Sequence, residues 1–188
     1  LTEILRNVPN YNHDLENVLS IQQNAFVTRN AEKYYRAMIK RGSASWNIRD
    51  EHMVSTIDRL MKFHEKDAKI IIWEHNTHIG DAHATDGVVA VGFGSYKGSV
   101  IAGREWGDSM RKIKVPEAVE GSWEHAFHIA NNGQNRLLLM NKVKDEKCLS
   151  SLIGHRAIGV VYNPEHERFG NYVPTIFPKR YDAFIFID

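Results

Sequence analysis

Two imidazoles three residues apart, His75 and His78, lie in the run Trp73-Glu74-His75-Asn76-Thr77-His78-Ile79-Gly80-Asp81. Imidazoles flanked by the carboxylates Glu74 and Asp81 bring together proton donors and acceptors that titrate near neutrality. Three chemistries suit such a stretch. The rings can bond loop carbonyls and do nothing more. They can join Asp81 as metal ligands, although the helical i, i+4 spacing of a metalloprotease helix is absent. They can act as a metal-free acid–base pair that polarises a substrate, because convergent titratable groups tend to mark sites. The third reading is carried forward, with His75 and His78 as catalytic candidates, Glu74 and Asp81 as substrate-binding candidates, and neither metal nor cofactor expected.

A second cluster is Trp46-Asn47-Ile48-Arg49-Asp50-Glu51-His52. Asn47 reads as an N-cap and Arg49 falls in the first turn of the helix that follows. There its planar fork of donors suits an anion or a polarised carbonyl, or equally a capping salt bridge. Gly92-Phe93-Gly94-Ser95-Tyr96-Lys97-Gly98 is glycine-rich, but Ser99-Val100-Ile101-Ala102 follows as a strand-like run. The helix N-terminus that phosphate binding needs is missing, so the segment is set aside as a nucleotide motif. His125 and His128 read as surface or core-edge imidazoles. Tyr172 and Arg180 are candidates either for lining a pocket or for ordinary loop packing.

These residues need elements to hold them. Leu15, Val18, Leu19, Gln22 and Phe26 recur at helical spacing, predicting a helix within residues 12–40 with a break near Thr28–Asn30. A loop at residues 41–45 follows, then a helix from Asn47 whose face is Met53, Ile57, Leu60, Met61 and His64. Lys69-Ile70-Ile71-Ile72-Trp73 is short, apolar and β-branched, the pattern of a strand covered on both faces in a parallel sheet. The histidines begin where it stops, and the carboxyl ends of strands are where open α/β sheets bind ligands. Val88–Phe93, Ser99–Ala102, Arg136–Met140, Ala157–Tyr162 and Ala183–Ile187 are further strand candidates. Ser122 reads as the N-cap of a helix over 123–130 with Trp123, Ala126, Phe127 and Ala130 facing inward. The expected fold is α/β, mainly a parallel sheet flanked by helices, with an N-terminal helical subdomain at 1–45 and the α/β domain at 46–188.

The 188 residues carry 24 Lys and Arg against 23 Asp and Glu, a formal charge of +1. That balance leaves no overall electrostatic footprint for nucleic acid or an anionic membrane surface, and neither is an expected partner. The single Cys148 excludes an intrachain disulfide framework and a multi-cysteine zinc site. A 43% hydrophobic and 25% charged composition supports a buried core. No apolar run approaches the roughly 18–20 residues that span a bilayer, and the opening Leu1-Thr2-Glu3 has no signal-peptide pattern. A cytoplasmic location is the expectation, as is a chain that forms part of a longer polypeptide.

Three segments resemble the erythromycin esterase family, including its succinoglycan-biosynthesis-related bacterial branch. They are Trp46-Asn47-Ile48-Arg49-Asp50 with Met53, the Trp73–Asp81 stretch, and Gly154-His155-Arg156-Ala157-Ile158-Gly159-Val160 through Asp188. The resemblance implies a two-domain α/β protein with an added helical part. It also implies hydrolysis of a carboxylic ester or macrolactone by activated water, without an acyl-enzyme, and hence antibiotic resistance where the substrate is a macrolide. His75 and His78 match the family's second-half histidine pair. The family's proposed base lies in an early Gly-Glu-x-x-His motif that does not occur here, so the chain resembles the family's second half. The implied partners are a small-molecule ester and an N-terminal half of the same polypeptide. After Asp86 the family inserts a Gly- and Asn-containing segment; here Thr85-Asp86-Gly87 leads almost directly into Val88. A non-catalytic binding or scaffold half linked to polysaccharide biosynthesis remains open beside the esterase, as does a metal-dependent hydrolase using His75, His78 and Asp81.

Overall fold

Asp14 starts the long N-terminal helix. Its carboxylate accepts from the backbone N–H groups of Glu16 and Asn17, two of the donors a helix start leaves without partners. The computed structural model describes residues 2–7, 14–40, 44–79, 87–143 and 147–188. They fall into two units, Leu1–Ile72 and Trp73–Asp188.

The first unit is helical: α1 (Thr2–Asn7), α2 (Leu15–Ile39) and α3 (Ala44–Phe63). No break occurs at Thr28–Asn30: α2 runs straight through, and the Thr28 hydroxyl bonds the Asn24 carbonyl one turn back. α3 begins three residues before Asn47, so Asn47 lies inside the helix and is not its cap. Arg49 accordingly sits beyond the first turn, its guanidinium over the Trp46 ring at 5.0 Å. Helices α2 and α3 pair antiparallel: Asn30 bonds His52 at 2.8 Å, and Arg59 bonds Gln23 while lying 4.0 Å over Phe26. Of the expected loop, residues 41–43 lie outside the described residues.

The second unit mixes short helices and strands. Strand β1 (Val91–Ser95) is followed by β2 (Gly98–Ala102), β3 (Arg111–Val115), α4 (Trp123–Ala130) and β4 (Arg136–Leu139). Then come α5 (Met140–Val143), β5 (Ile153–Arg156), α6 (Glu167–Gly170), β6 (Tyr172–Thr175), α7 (Phe177–Arg180) and β7 (Ala183–Ile187). The sheet order is β1-β7-β4, with β1 parallel and β4 antiparallel to the central β7; β2–β3 and β5–β6 are separate antiparallel pairs. Among the described residues, parallel pairing is thus confined to β1–β7 and one bridge, Gly103 to Val161. Helices and strands alternate as expected, but most ladders are antiparallel.

Lys69–Trp73 forms no ladder. Ile71 is 92% and Trp73 83% exposed, and no described strand pairs with the segment. Its composition favours a strand, yet strand formation depends on a partner edge and covered faces, and here both are lacking. Residues 157–162 also stay outside a strand apart from the Val161 bridge.

Ser122 caps α4 as its sequence predicts, accepting from the His125 N–H at 3.3 Å. The inward face of α4 differs from the expected one. Trp123 and Phe127 are buried, Ala126 and Ala130 are exposed, and Glu124 is 0% exposed. The main core sets Trp123 and Phe127 against Phe177, Tyr181, Phe184 and Phe186; a smaller one joins Ala102, Ile113, Val115 and Tyr162. Gly92 and Gly94 share the inner face of β1, where a Cβ would stand 2.5 Å from the Tyr181 ring and 2.6 Å from that of Phe184. The glycines of the discarded nucleotide motif therefore let β1 press onto aromatic rings.

Candidate active site

The His75–His78 segment is a hydrogen-bonded turn, with the His78 N–H donating to the His75 carbonyl at 2.8 Å. A turn of this kind holds its first and fourth Cα atoms within about 7 Å, so the two histidines stand at its two ends. His75 is half-buried; Glu74 and His78 are exposed.

The His75 tautomer follows from its neighbours. Nε2 faces the Ile158 carbonyl at 2.7 Å, and a carbonyl only accepts, so Nε2 carries the hydrogen. Nδ1 receives the Thr77 backbone N–H at 3.2 Å and lies 2.8 Å from the Thr77 hydroxyl. The ring is therefore fixed in orientation, with its lone pair at Nδ1.

Asn76 docks the turn on the open edge of β1. Its Oδ1 accepts from the Phe93 N–H at 3.2 Å and its Nδ2 donates to the Phe93 carbonyl at 2.5 Å, in the manner of a neighbouring strand. Arg180 adds a bond from Nη2 to the Asn76 carbonyl at 3.0 Å. The Phe93 contacts settle which end of the amide is which, so the atom that approaches His155 Nε2 at 3.3 Å is an N–H donor.

His155 lies behind the turn, 2% exposed, with its Nδ1 at 2.5 Å from the Glu124 carboxylate. The other Glu124 oxygen accepts the Arg156 backbone N–H at 3.1 Å. Nδ1 carries the hydrogen and donates it to the carboxylate, which accepts. The Nε2 lone pair then faces two donors, Asn76 and the Tyr181 hydroxyl at 3.0 Å. Burial pushes the Tyr181 phenol up to about 12; Glu124 adds to that push and the Arg180 cation opposes it. The phenol stays protonated and can serve as a donor.

A second buried cluster lies deeper. Arg156 bonds Glu167 at 2.7 Å and the carbonyls of Ser95, Tyr96 and Pro116, while Tyr162 and Tyr172 donate to the same Glu167 carboxylate. Burial raises both phenols, Tyr172 to about 12 and Tyr162 further. Every member is satisfied within the cluster, so it reads as structural.

Of the residues expected at a site, the turn unites His75 and His78, with Glu74 next to them in the chain. Arg49 belongs to the helical unit, and Asp81 lies outside the described residues. Two concavities occur elsewhere: one of about 860 Å³ lined by basic residues of β3 with Lys97 and Arg104, and one of about 600 Å³ on α3. Neither includes a residue of the turn. Sequence reasoning passed over Asn76, Glu124, His155 and Tyr181. Glu124 precedes the core residue Phe127 by three positions on one helical stripe, but nothing in the sequence names its partner His155.

Among the described residues, no helix is long and apolar enough to cross a membrane. No solved structure matches the chain. The family model described as Erythromycin esterase matches residues 1–88 and 83–188. The two matched stretches overlap at residues 83–88. Matched over both stretches, the chain belongs to the erythromycin esterase family.

Proposed function

We propose that the chain works as an esterase-type hydrolase in which water, not an enzyme nucleophile, cleaves a carboxylic ester or macrolactone of a small-molecule substrate. A base takes a proton from water, the resulting hydroxide adds to the carbonyl carbon, and the alkoxide leaves with a proton. His75 and His78 hold that water or give the proton to the leaving alkoxide, with no metal or cofactor taking part. Family membership supports the hydrolase class. The single observation that carries the residue assignment is the His75–His78 turn, whose first ring is held by the Ile158 carbonyl at Nε2 and by Thr77 at Nδ1.

Arg49, Glu74 and Asp81 are the proposed substrate-binding residues, Arg49 as a donor for charge growing on a carbonyl oxygen. Residues 1–45 serve as a helical subdomain and 46–188 as the esterase-like α/β domain, in a cytoplasmic protein. The resemblance implies macrolide resistance or succinoglycan biosynthesis as its setting. The test is ester turnover by the full gene product, with His75→Ala and His78→Ala each compared with the parent. A loss of about a hundredfold or more is expected for an acid–base group. A change of only a few-fold in both variants overturns the assignment. A second reading, a binding or scaffold half linked to polysaccharide biosynthesis, rests on the sequence itself, in which no Gly-Glu-x-x-His occurs.

A further inference from the structure

Two of the second unit's arginines, Arg156 and Arg180, are held differently. Arg156 has all three nitrogens bonded and a carboxylate partner. Arg180, at the end of α7, spends Nη2 on the Asn76 carbonyl, and its Nε is buried with no hydrogen-bond partner. Among the described residues no carboxylate lies within ion-pair distance of it. The nearby Tyr181 hydroxyl donates to His155, and its oxygen also meets the Arg180 side chain, though not at Nε.

A buried donor on a cation, left without an acceptor, costs free energy unless something else accepts from it. The guanidinium is a planar fork, suited to the paired oxygens of a carboxylate or phosphate. Its Nη2 bond runs to Asn76, inside the His75–His78 turn, so its charge stands beside that turn. The sequence reading left Arg180 between pocket lining and loop packing; the orphaned Nε favours the former.

We propose that Arg180 is an oxyanion-binding residue of the His75–His78 site, and that the molecules handled there carry a carboxylate or phosphate besides the ester. The proposal rests on the esterase reading for the word ester, but not for the oxyanion. An acidic group seated on Arg180 holds the ligand against the turn, and a neutral analogue leaves the cation without its acceptor. Discrimination by charge then follows, since unpaired buried donors penalise the analogue that lacks the matching group.

The experiment has two arms. In the first, the nitrogen-labelled full chain is titrated with inorganic phosphate and, separately, malonate, following the Arg180 Nε–H signal by NMR. The exposed Arg168 serves as internal reference. Saturable movement of the Arg180 signal is expected with at least one anion, and which anion moves it tells phosphate from carboxylate. Arg180→Gln is expected to weaken that binding about tenfold or more, read from the signals of Asn76 and Thr77. Arg180→Lys keeps the charge without the fork, and is expected to fall between the two if Arg180→Gln does not fold.

In the second arm, a p-nitrophenyl ester bearing a terminal carboxylate is compared with the same ester methylated at that carboxylate. The parent is expected to favour the anionic ester, and Arg180→Gln to abolish the preference. If neither ester is turned over, the esterase reading fails and the first arm alone decides the proposal. If the Arg180 signal moves no more than that of Arg168 with either anion, the proposal is overturned, whatever the turnover.

Discussion

Each nitrogen of the Arg156 guanidinium is engaged, and its partner Glu167 is 2% exposed and also receives two phenols. Removing one member of such a pair leaves a buried charge without compensation, at a cost of about 3–5 kcal/mol. Arg156→Met should therefore lower the urea midpoint sharply, and Arg156→Met with Glu167→Gln should recover part of the loss. Equal midpoints for parent and single variant would show that the pair is not buried in solution. At this scale the sequence was only partly legible. His75 and His78 announced themselves by residue type and spacing, and the turn between them follows from local chemistry. Glu124 and His155 did not, because a carboxylate on an apolar helix stripe reads as a surface group until its partner, 31 positions away, is known. Gly154-His155-Arg156 drew notice as part of a segment resembling the family, while its two polar side chains are among the most buried in the unit.

Elements were legible where local signals suffice and failed where pairing decides. The Ser122 cap fixed α4, and the run Ala183-Phe184-Ile185-Phe186-Ile187 fixed β7, which has a neighbour on each side. Lys69–Trp73 carries nearly the same apolar signal but gains no ladder, so composition alone did not separate the two. Strand β3 went unread because its cations obscure an alternation in which only Ile113 and Val115 are buried. Strand β6 reads as a turn through Pro174, yet that proline sits opposite Gly154 in an antiparallel pair. On β1 the decisive feature is what glycine omits. Gly92→Ala would set a methyl 2.5–2.7 Å from three carbons of the Tyr181 ring, which is 1% exposed and has little room to retreat. Overpacking of this kind costs about 1–3 kcal/mol. Because Tyr181 also bonds His155, the variant should shift the aromatic signals of both rings in NMR spectra as well as lower the thermal midpoint. Unchanged ring signals would mean that β1 does not lie against Tyr181.

For the whole molecule, the sequence foretold a mixture of helices and strands with a helical opening, and the structure has both. The share of antiparallel pairing was hidden because β2–β3 and β5–β6 form small ladders whose residues carry little of the apolar signal. The second unit also holds phenols in polar clusters within the core, and their raised pKa values make its stability depend on alkali. Tyr181 has its folded pKa raised from 10.0 to about 12, mainly by burial. Below about pH 10 the phenol is protonated folded or unfolded, and its contribution is fully present. Between about pH 10 and about pH 12 the unfolded chain loses the proton first, so stability falls as pH rises through the folded value. Two pKa units correspond to about 3 kcal/mol for this one group, as an order of magnitude. Tyr172, raised to about 12, and Tyr162 act in the same direction. Urea denaturation across this range, following Trp123 fluorescence, should therefore show a decline that begins near pH 10 and is steeper than one phenol can cause. Tyr181→Phe should be less stable at neutral pH, having lost the bond to His155, yet should decline less steeply in alkali. Parallel curves for the parent and Tyr181→Phe would mean that the Tyr181 phenol titrates as if exposed, and the buried link between Glu124, His155 and the turn would lose its support.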